Sequence, residues 1–313
     1  MSFALLFPGQ GSHRPGMCRE IFEVSAAARD VFSRASAALG RDTAALCFSG
    51  NAESLSSTAV AQPALFTAET AVLAALREAG IPDAACVAGH SLGEFSALHA
   101  AGSLGLEDGV RLVAERGRLM DEAGNGTRGG MAAVIGRSCA EIGAAITRAG
   151  LDGALWVANV NSDDQVVVSG SLDAVERFIA FSEGNGAKKV VRLRVAGAFH
   201  SPLMAGASAV FERVLDGVPF SDPSVPVVSN VLGSQVKSGA GVRAALRPHM
   251  TSPVRWAESV RCMAAAGVKA YVEVGPGTVL SGLVKKIDPK AVVSSVGRPG
   301  DVDRAARMLS DFR

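Results

Sequence analysis

No two of the five cysteines form a C-x-x-C pair, and Cys18, Cys47, Cys86, Cys139 and Cys262 are scattered and odd in number. That argues against a disulfide framework or a cysteine zinc site and leaves free thiols in a reducing, cytoplasmic setting as the expectation. Charge is scarce too. Asp, Glu, Lys and Arg make up 19% of the chain, against about 25% in typical globular proteins. The 31 Lys+Arg nearly cancel the 30 Asp+Glu, for a net charge of +1. A balanced chain lacks the concentrated basic surface that nucleic-acid binding needs. Low charge with 48% hydrophobic residues also excludes intrinsic disorder. No Lys or Arg precedes Arg14, and the apolar start turns at Pro8-Gly9, so no signal peptide is read there. Uncharged runs such as Leu55–Ala68 are too short and too polar for the roughly 20 residues a bilayer requires. No internal repeat or low-complexity tract is visible.

What is present is an Ala- and Gly-rich chain of 313 residues, long enough for about two domains at ~150 residues each. Phe3–Phe7 and Ala84–Ala88 read as short buried strands. Helical spacing covers Arg19–Leu39, Gln62–Ala79 and Glu107–Glu122. The four-glycine stretch 123–130 then reads as a loop. Beyond it the pattern is strand (Met131–Ile135), helix (Cys139–Arg148), strands (Leu155–Asn159, Gln165–Ser169), helix (Leu172–Gly184) and strand (Lys188–Val195). That βαββαβ order is the ferredoxin-like split unit. Residues 128–196 are therefore expected to form a small inserted domain. Strands alternating with helices on both sides of it predict a mainly parallel α/β sheet, built from 1–127 and 197–313.

Gly89-His90-Ser91-Leu92-Gly93 fits G-x-S-x-G between a predicted strand and a predicted helix. Side chains flanking the serine would clash in so sharp an elbow. The serine then meets the free N–H groups of a helix N-terminus, where an oxyanion is stabilised. A second reading needs no chemistry, because Ser91-Leu92-Gly93-Glu94 is also an S-x-x-E capping box. A serine nucleophile needs a base, and histidine is the usual one. The five candidates are His13, His90, His99, His200 and His249. His200 follows a predicted strand, where α/β folds place catalytic groups; position alone does not close the choice. Arg116 lies mid-helix, where a solvated surface arginine is the default.

Seven segments occur in one order: Phe7-Pro8-Gly9-Gln10-Gly11, Gln62-Pro63-Ala64-Leu65, Gly89 to Glu94, Glu115-Arg116-Gly117, Ala198-Phe199-His200-Ser201, Ser252-Pro253-Val254-Arg255-Trp256 and Glu273-Val274-Gly275-Pro276-Gly277. Together, over about residues 3–296, they resemble the malonyl-CoA:acyl-carrier-protein transacylase family. The resemblance implies an α/β-hydrolase-like large domain, a ferredoxin-like small domain and a cleft between them. It implies Ser91 as nucleophile and His200 as base, with backbone N–H groups of Gln10 and Leu92 as the oxyanion hole. Arg116 would hold the malonyl carboxylate, Gln62 would lie near the pocket, and the loop 249–253, at His249, would offer His200 a carbonyl in place of an acid. Phe199 would narrow the space beside the acyl α-carbon; in related polyketide acyltransferases Ala-Phe-His accompanies malonyl and Ala-Ser-His methylmalonyl. Ordinary core packing explains Phe199 equally well.

Two positions depart from the family pattern: His13 and His249 both stand where the family usually has Gln. Arg192 and Arg194, in Lys188–Arg194, would share one strand face. They read as a solvated face or as an attractor for an acidic carrier protein or coenzyme A phosphates. The resemblance implies a monomer that moves malonyl from malonyl-CoA to a transiently bound acyl carrier protein, without metal or bound cofactor, for fatty-acid or polyketide synthesis. A polyketide acyltransferase for another acyl unit, acting in trans, and a same-fold thioester hydrolase remain as alternatives.

Overall fold

The computed structural model describes residues 2–48, 54–195 and 197–310; Ala196, where the small domain was expected to end, lies outside them. Ten strands are described: β1 (Ser2–Phe7), β2 (Cys86–Gly89), β3 (Gly129–Ile135), β4 (Leu155–Ser162), β5 (Gln165–Ser171), β6 (Lys189–Arg192), β7 (Val227–Val228), β8 (Gln235–Val236), β9 (Val268–Val274) and β10 (Val292–Val296). They form two sheets. The larger runs β10-β9-β1-β2-β7-β8, and the smaller runs β4-β5-β3-β6. All neighbours in the larger sheet are parallel except the short β7–β8 pair, and all neighbours in the smaller are antiparallel.

β1 shows why its residues form a central strand. Phe3, Leu5 and Phe7 point into one apolar cluster, and Ala4 and Leu6 into another. Alternation with both faces buried is what a helix-covered parallel strand requires. Phe7 pairs with Gly89, so β1 and β2 end level. The loops that follow them, Pro8–Gly11 and His90–Leu92, leave the same sheet edge together, and His90 N–H donates to Phe7 O at 2.9 Å. This is the carboxyl end of the strands, beside the switch in strand order where open α/β sheets form crevices. In the smaller sheet, buried residues such as Val134, Val166 and Val168 pack on helices Cys139–Arg148 and Leu172–Glu183.

Local differences from the sequence reading have identifiable causes. Arg19–Leu39 is two helices, Arg19–Val24 and Ala26–Leu39. Ser25 between them is extended and its side chain caps Ala28 N–H. Periodicity cannot see that break, because both pieces bury the same face. The glycine stretch is not a loop: the third helix is Leu106–Thr127, Arg128 turns in the left-handed region, and β3 starts at Gly129. Gly117 on that helix is held tight, since an added Cβ would lie 2.7 Å from Thr58 O. The second helix begins at Thr58, a turn earlier than expected, with Pro63 inside it. By length and composition it could span a membrane, contrary to the reading that stopped at Ala68; 83% of its apolar window is buried inside the protein. The strand expected over Lys188–Val195 is shorter, and Arg194 lies past its end. Arg192 pairs with Glu176 on the exposed face.

Candidate active site

The elbow is shaped by close packing. At Gly89 an added Cβ would lie 1.9 Å from the Gly93 carbonyl group, and at Gly93 it would lie 2.0 Å from Phe7 O. Backbone stands in both places and cannot swing aside. Ser91 itself has φ 52°, in the left-handed region that L-residues avoid. Such strain persists only where surroundings over-determine it, and here Asn230 does so. Its Oδ1 accepts from Ser91 N–H at 2.6 Å, and its Nδ2 donates to Gly89 O at 2.6 Å. Gly93→Ala is therefore expected to lower stability by ~1–3 kcal/mol or more, as overpacking does. Thermal unfolding checks this, and an unchanged Tm would mean that the elbow relaxes freely.

Ser91 does not act as a helix cap. Helix Gly93–Ala100 has Leu92 at its N-cap position, without a side-chain cap bond. Instead the Ser91 hydroxyl faces His200 Nε2 at 2.8 Å. On its other side, His200 Nδ1 lies 3.1 Å from both His249 O and Ser252 O. Carbonyls only accept, so Nδ1 carries the proton and Nε2 is the free acceptor for Ser91 Oγ–H. The 249–252 turn is held by the smaller sheet's β4: Val254 N–H donates to Ala158 O at 2.8 Å and Val160 N–H to Val254 O at 2.9 Å. Burial, aided by His249, Arg116 and His90, keeps the His200 pKa well below its ordinary value. The ring is thus a neutral base at neutral pH.

Arg116 is the most deeply placed charge at the site, 1% exposed. Nη1 donates to Gln62 Oε1 at 2.8 Å and Nη2 to Ser91 Oγ at 3.1 Å. Nη2 also lies 3.3 Å from His249 Nδ1, the guanidinium sits 5.4 Å from the Phe95 ring centroid, and Nε has no hydrogen-bond partner among the described residues. Burial pushes its pKa down to about 9, with Glu94 opposing, so it stays a cation at neutral pH. None of these direct partners is a carboxylate.

The structure brings Ser91, His200, Arg116, Gln10, Leu92, Gln62 and Phe199 around one cavity of about 90 Å³. Met120, Met131, Leu193 and Val195 complete an apolar wall. The N–H groups of Gln10 and Leu92 donate to no protein acceptor among the described residues. Gln10 Nε2 donates to Thr58 Oγ1 at 3.2 Å. His249 lies behind the cavity, touching Arg116 with its ring and His200 with its carbonyl. The other three histidines sort out by their partners. His90 bonds Asn161 Oδ1 at 2.9 Å, His99 bonds Leu104 O at 3.0 Å, and His13 Nδ1 accepts from Gly11 N–H at 3.2 Å. Sequence reasoning missed Asn230, Asn161 and the role of Glu94. Glu94 turns inward, accepting from Asn230 N–H at 3.0 Å and meeting His249 Nε2 at 3.1 Å. Among the described residues no three His, Cys, Asp or Glu side chains group as metal ligands.

A serine on a strained elbow, with a histidine at one side of its hydroxyl and an arginine at the other, is the arrangement of a serine-dependent acyl-transfer enzyme. The chain belongs to the acyl transferase domain family, whose profile matches residues 4–300. It is 41% identical over 310 residues to the malonyl CoA-acyl carrier protein transacylase of Bacillus subtilis (strain 168), covering 98% of this chain and 97% of that one. Among solved structures it superposes on the malonyl CoA-acyl carrier protein transacylase of Coxiella burnetii with TM-score 0.96 at 36% identity, covering 99% of this chain and 98% of that one. It also matches a malonyl-transacylase solved in complex with a type II polyketide-synthase acyl-carrier protein, with TM-score 0.95 at 36% identity over 98% of this chain and 100% of that one.

Proposed function

We propose that the protein transfers malonyl from malonyl-CoA to the phosphopantetheine thiol of an acyl carrier protein through a malonyl ester on Ser91. The observation that carries the substrate class is Arg116: a buried cation 3.1 Å from the nucleophilic oxygen, without a directly bonded carboxylate. A free carboxylate on the acyl group supplies what it lacks, and a guanidinium holds it as a planar fork. Relatives named for malonyl transfer to acyl carrier protein support the same reading.

His200 Nε2 takes the Ser91 proton as Oγ attacks the thioester carbonyl. The resulting oxyanion meets the N–H groups of Leu92 and Gln10 at the N-terminus of helix Gly93–Ala100. Collapse breaks the C–S bond, and His200 returns its proton to the leaving thiolate. In the second half the carrier's thiol gives its proton to His200 and attacks the ester, and Ser91 Oγ leaves with that proton. Neither half needs a metal or a bound cofactor. A neighbouring opening of about 240 Å³, shared by Gln10, His90 and Leu193, offers the thioester arm a way in. Residues 128–196 act as the small domain that walls this cleft, and 1–127 with 197–313 as the catalytic domain. Five unpaired cysteines support a reducing, cytoplasmic setting.

Arg116→Ala tests the substrate class. Loss of one partner of a desolvated charge pair costs on the order of 3–5 kcal/mol, or roughly 10²–10⁴-fold in malonyl kcat/KM. Acetyl-CoA has no carboxylate, so its acyl-enzyme should form at least as fast as before. Arg116→Lys should rescue only partly, since an ammonium lacks the fork. Intact-protein mass after incubation with each thioester reads the result. Equal losses for malonyl and acetyl would overturn the malonyl assignment.

A further inference from the structure

His249 stands where the family usually has Gln, and its ring is fully buried between two charges. On one side Nδ1 lies 3.3 Å from Arg116 Nη2; on the other Nε2 lies 3.1 Å from Glu94 Oε2. A guanidinium only donates, so Nδ1 is the acceptor and Nε2 carries the proton toward Glu94. The ring is held edge-on by Phe95 and by His200, with ring centroids 5.7 Å away in each case. Glu94 is fixed in turn by Asn230 N–H at 3.0 Å. Asn230 is the residue that braces the elbow at Ser91. One rigid chain, Asn230–Glu94–His249–Arg116, therefore links the nucleophile's backbone to the carboxylate-binding cation.

Resting on the malonyl reading above, we propose that His249 is a positioning residue for substrate selection: its neutral ring bridges Arg116 to buried Glu94 and fixes the guanidinium where an acyl carboxylate can meet it. The bridge ties Arg116 at one remove to a buried carboxyl that is partly ionised at neutral pH and offsets the cation to that extent. Glu94 makes no direct hydrogen bond to the guanidinium and so leaves its fork open. A direct Glu–Arg pair would close the fork to substrate, and a cation without any buried counter-charge would be expensive to keep. Burial raises the Glu94 pKa to about 7, against Asn230, Ser229 and Arg116, which lower it. Burial keeps His249 neutral, with Arg116 and His90 acting in the same sense. The ring thus keeps one donor and one acceptor at neutral pH. The His249 carbonyl, which accepts from His200, survives any side-chain substitution, so the two contributions of this residue can be separated.

His249→Leu fills the space without the bridge, and His249→Gln restores an acceptor for Arg116 and a donor for Glu94. Acyl-enzyme formation from malonyl-CoA and from acetyl-CoA, read by rapid-quench intact mass, gives the ratio of the two kcat/KM values. His249→Leu is expected to lower the malonyl/acetyl ratio about 10–100-fold, the span for a lost hydrogen bond to a charged group. The loss should appear chiefly in KM for malonyl-CoA, and His249→Gln should recover most of it. In an Arg116→Ala background His249→Leu should leave the ratio where Arg116→Ala alone puts it. An unchanged ratio in His249→Leu, or a Gln variant no better than Leu, overturns the positioning role. If His249→Leu does not fold, His249→Asn, polar but too short to span the gap, must show the same fall in ratio. Arg116→Ala alone separates the two ideas: if it fails to discriminate malonyl from acetyl, the malonyl reading falls; if it discriminates and His249 does not, only the bridge falls.

Discussion

Ser91→Ala is expected to leave the protein without any malonyl adduct, where the parent protein gains one malonyl mass on incubation with malonyl-CoA. The expectation rests on three features meeting at one oxygen. Ser91 Oγ has His200 Nε2 at 2.8 Å to take its proton and Arg116 Nη2 at 3.1 Å. Its backbone sits at the strained head of helix Gly93–Ala100. Removing the nucleophile of a serine hydrolase costs on the order of 10⁶-fold in turnover, which puts residual transfer below detection by mass. The substitution keeps Cβ, and the Asn230 braces bind backbone atoms, so the elbow should survive and the Tm should stay close to that of the parent. Labelling that persists in Ser91→Ala would move the nucleophile to another residue and dissolve the assignment of His200 with it.

The elbow was legible because its constraints are local, whereas His200, Arg116, Gln10 and Gln62 were named through the family resemblance and not by spacing. Gly89 and Gly93 flank Ser91 within five residues, and the contacts that exclude a Cβ at each are made by backbone of the elbow itself or of the adjacent β1. A five-residue pattern can carry that information. Other parts are set by distant residues and leave no local trace. Asn230 braces Ser91 from 139 positions away, and Asn161 reaches His90 from 71 positions away. Nothing in the spacing of either asparagine announces this. Glu94 was visible only as the fourth residue of a capping box. The structure turns its carboxylate inward because Asn230 N–H and the His249 ring supply partners there that solvent-facing geometry cannot. The break at Ser25 is made by a local cap, but apolar periodicity runs straight through it and hid it. At the glycines before Arg128 local propensity spoke for a loop, and the helix that began at Leu106 runs on through them.

The choice of carbonyls rather than a carboxylate behind His200 has a consequence for the base. A buried carboxylate would stabilise the imidazolium and raise the histidine pKa. Two carbonyls at 3.1 Å fix the same tautomer with less charge. Burial first, with the Arg116 cation beside the ring, then keeps it unprotonated. The site trades strength of the base for its availability at lower pH.

His200→Ala should therefore slow acyl-enzyme formation by about 10²–10⁴-fold, the usual span for loss of a positioned general base. The pH dependence tells this apart from a structural loss. In the parent protein the His200 pKa lies well below 6.5 because of burial first, then His249, Arg116 and His90. Protonating Nε2 stops proton removal from Ser91, so the acidic limb that His200 sets should fall below pH 6.5. Removing a cation that opposes this protonation shifts the limb the other way. In Arg116→Ala, followed with acetyl-CoA, which needs no carboxylate clamp, the limb should move upward toward 6.5 while burial still holds it beneath. His200→Ala should lose this limb altogether, since the group that titrates is gone, and its slow residual rate should vary smoothly with the ionisation of water or added base. Rapid-quench acylation across about pH 4.5–8, roughly the range where imidazole changes charge, measures all three profiles. An acidic limb that persists unchanged in His200→Ala would assign the titrating base to another group, and a limb in the parent above pH 6.5 would mean that His200 is held as an imidazolium, unable to take the Ser91 proton.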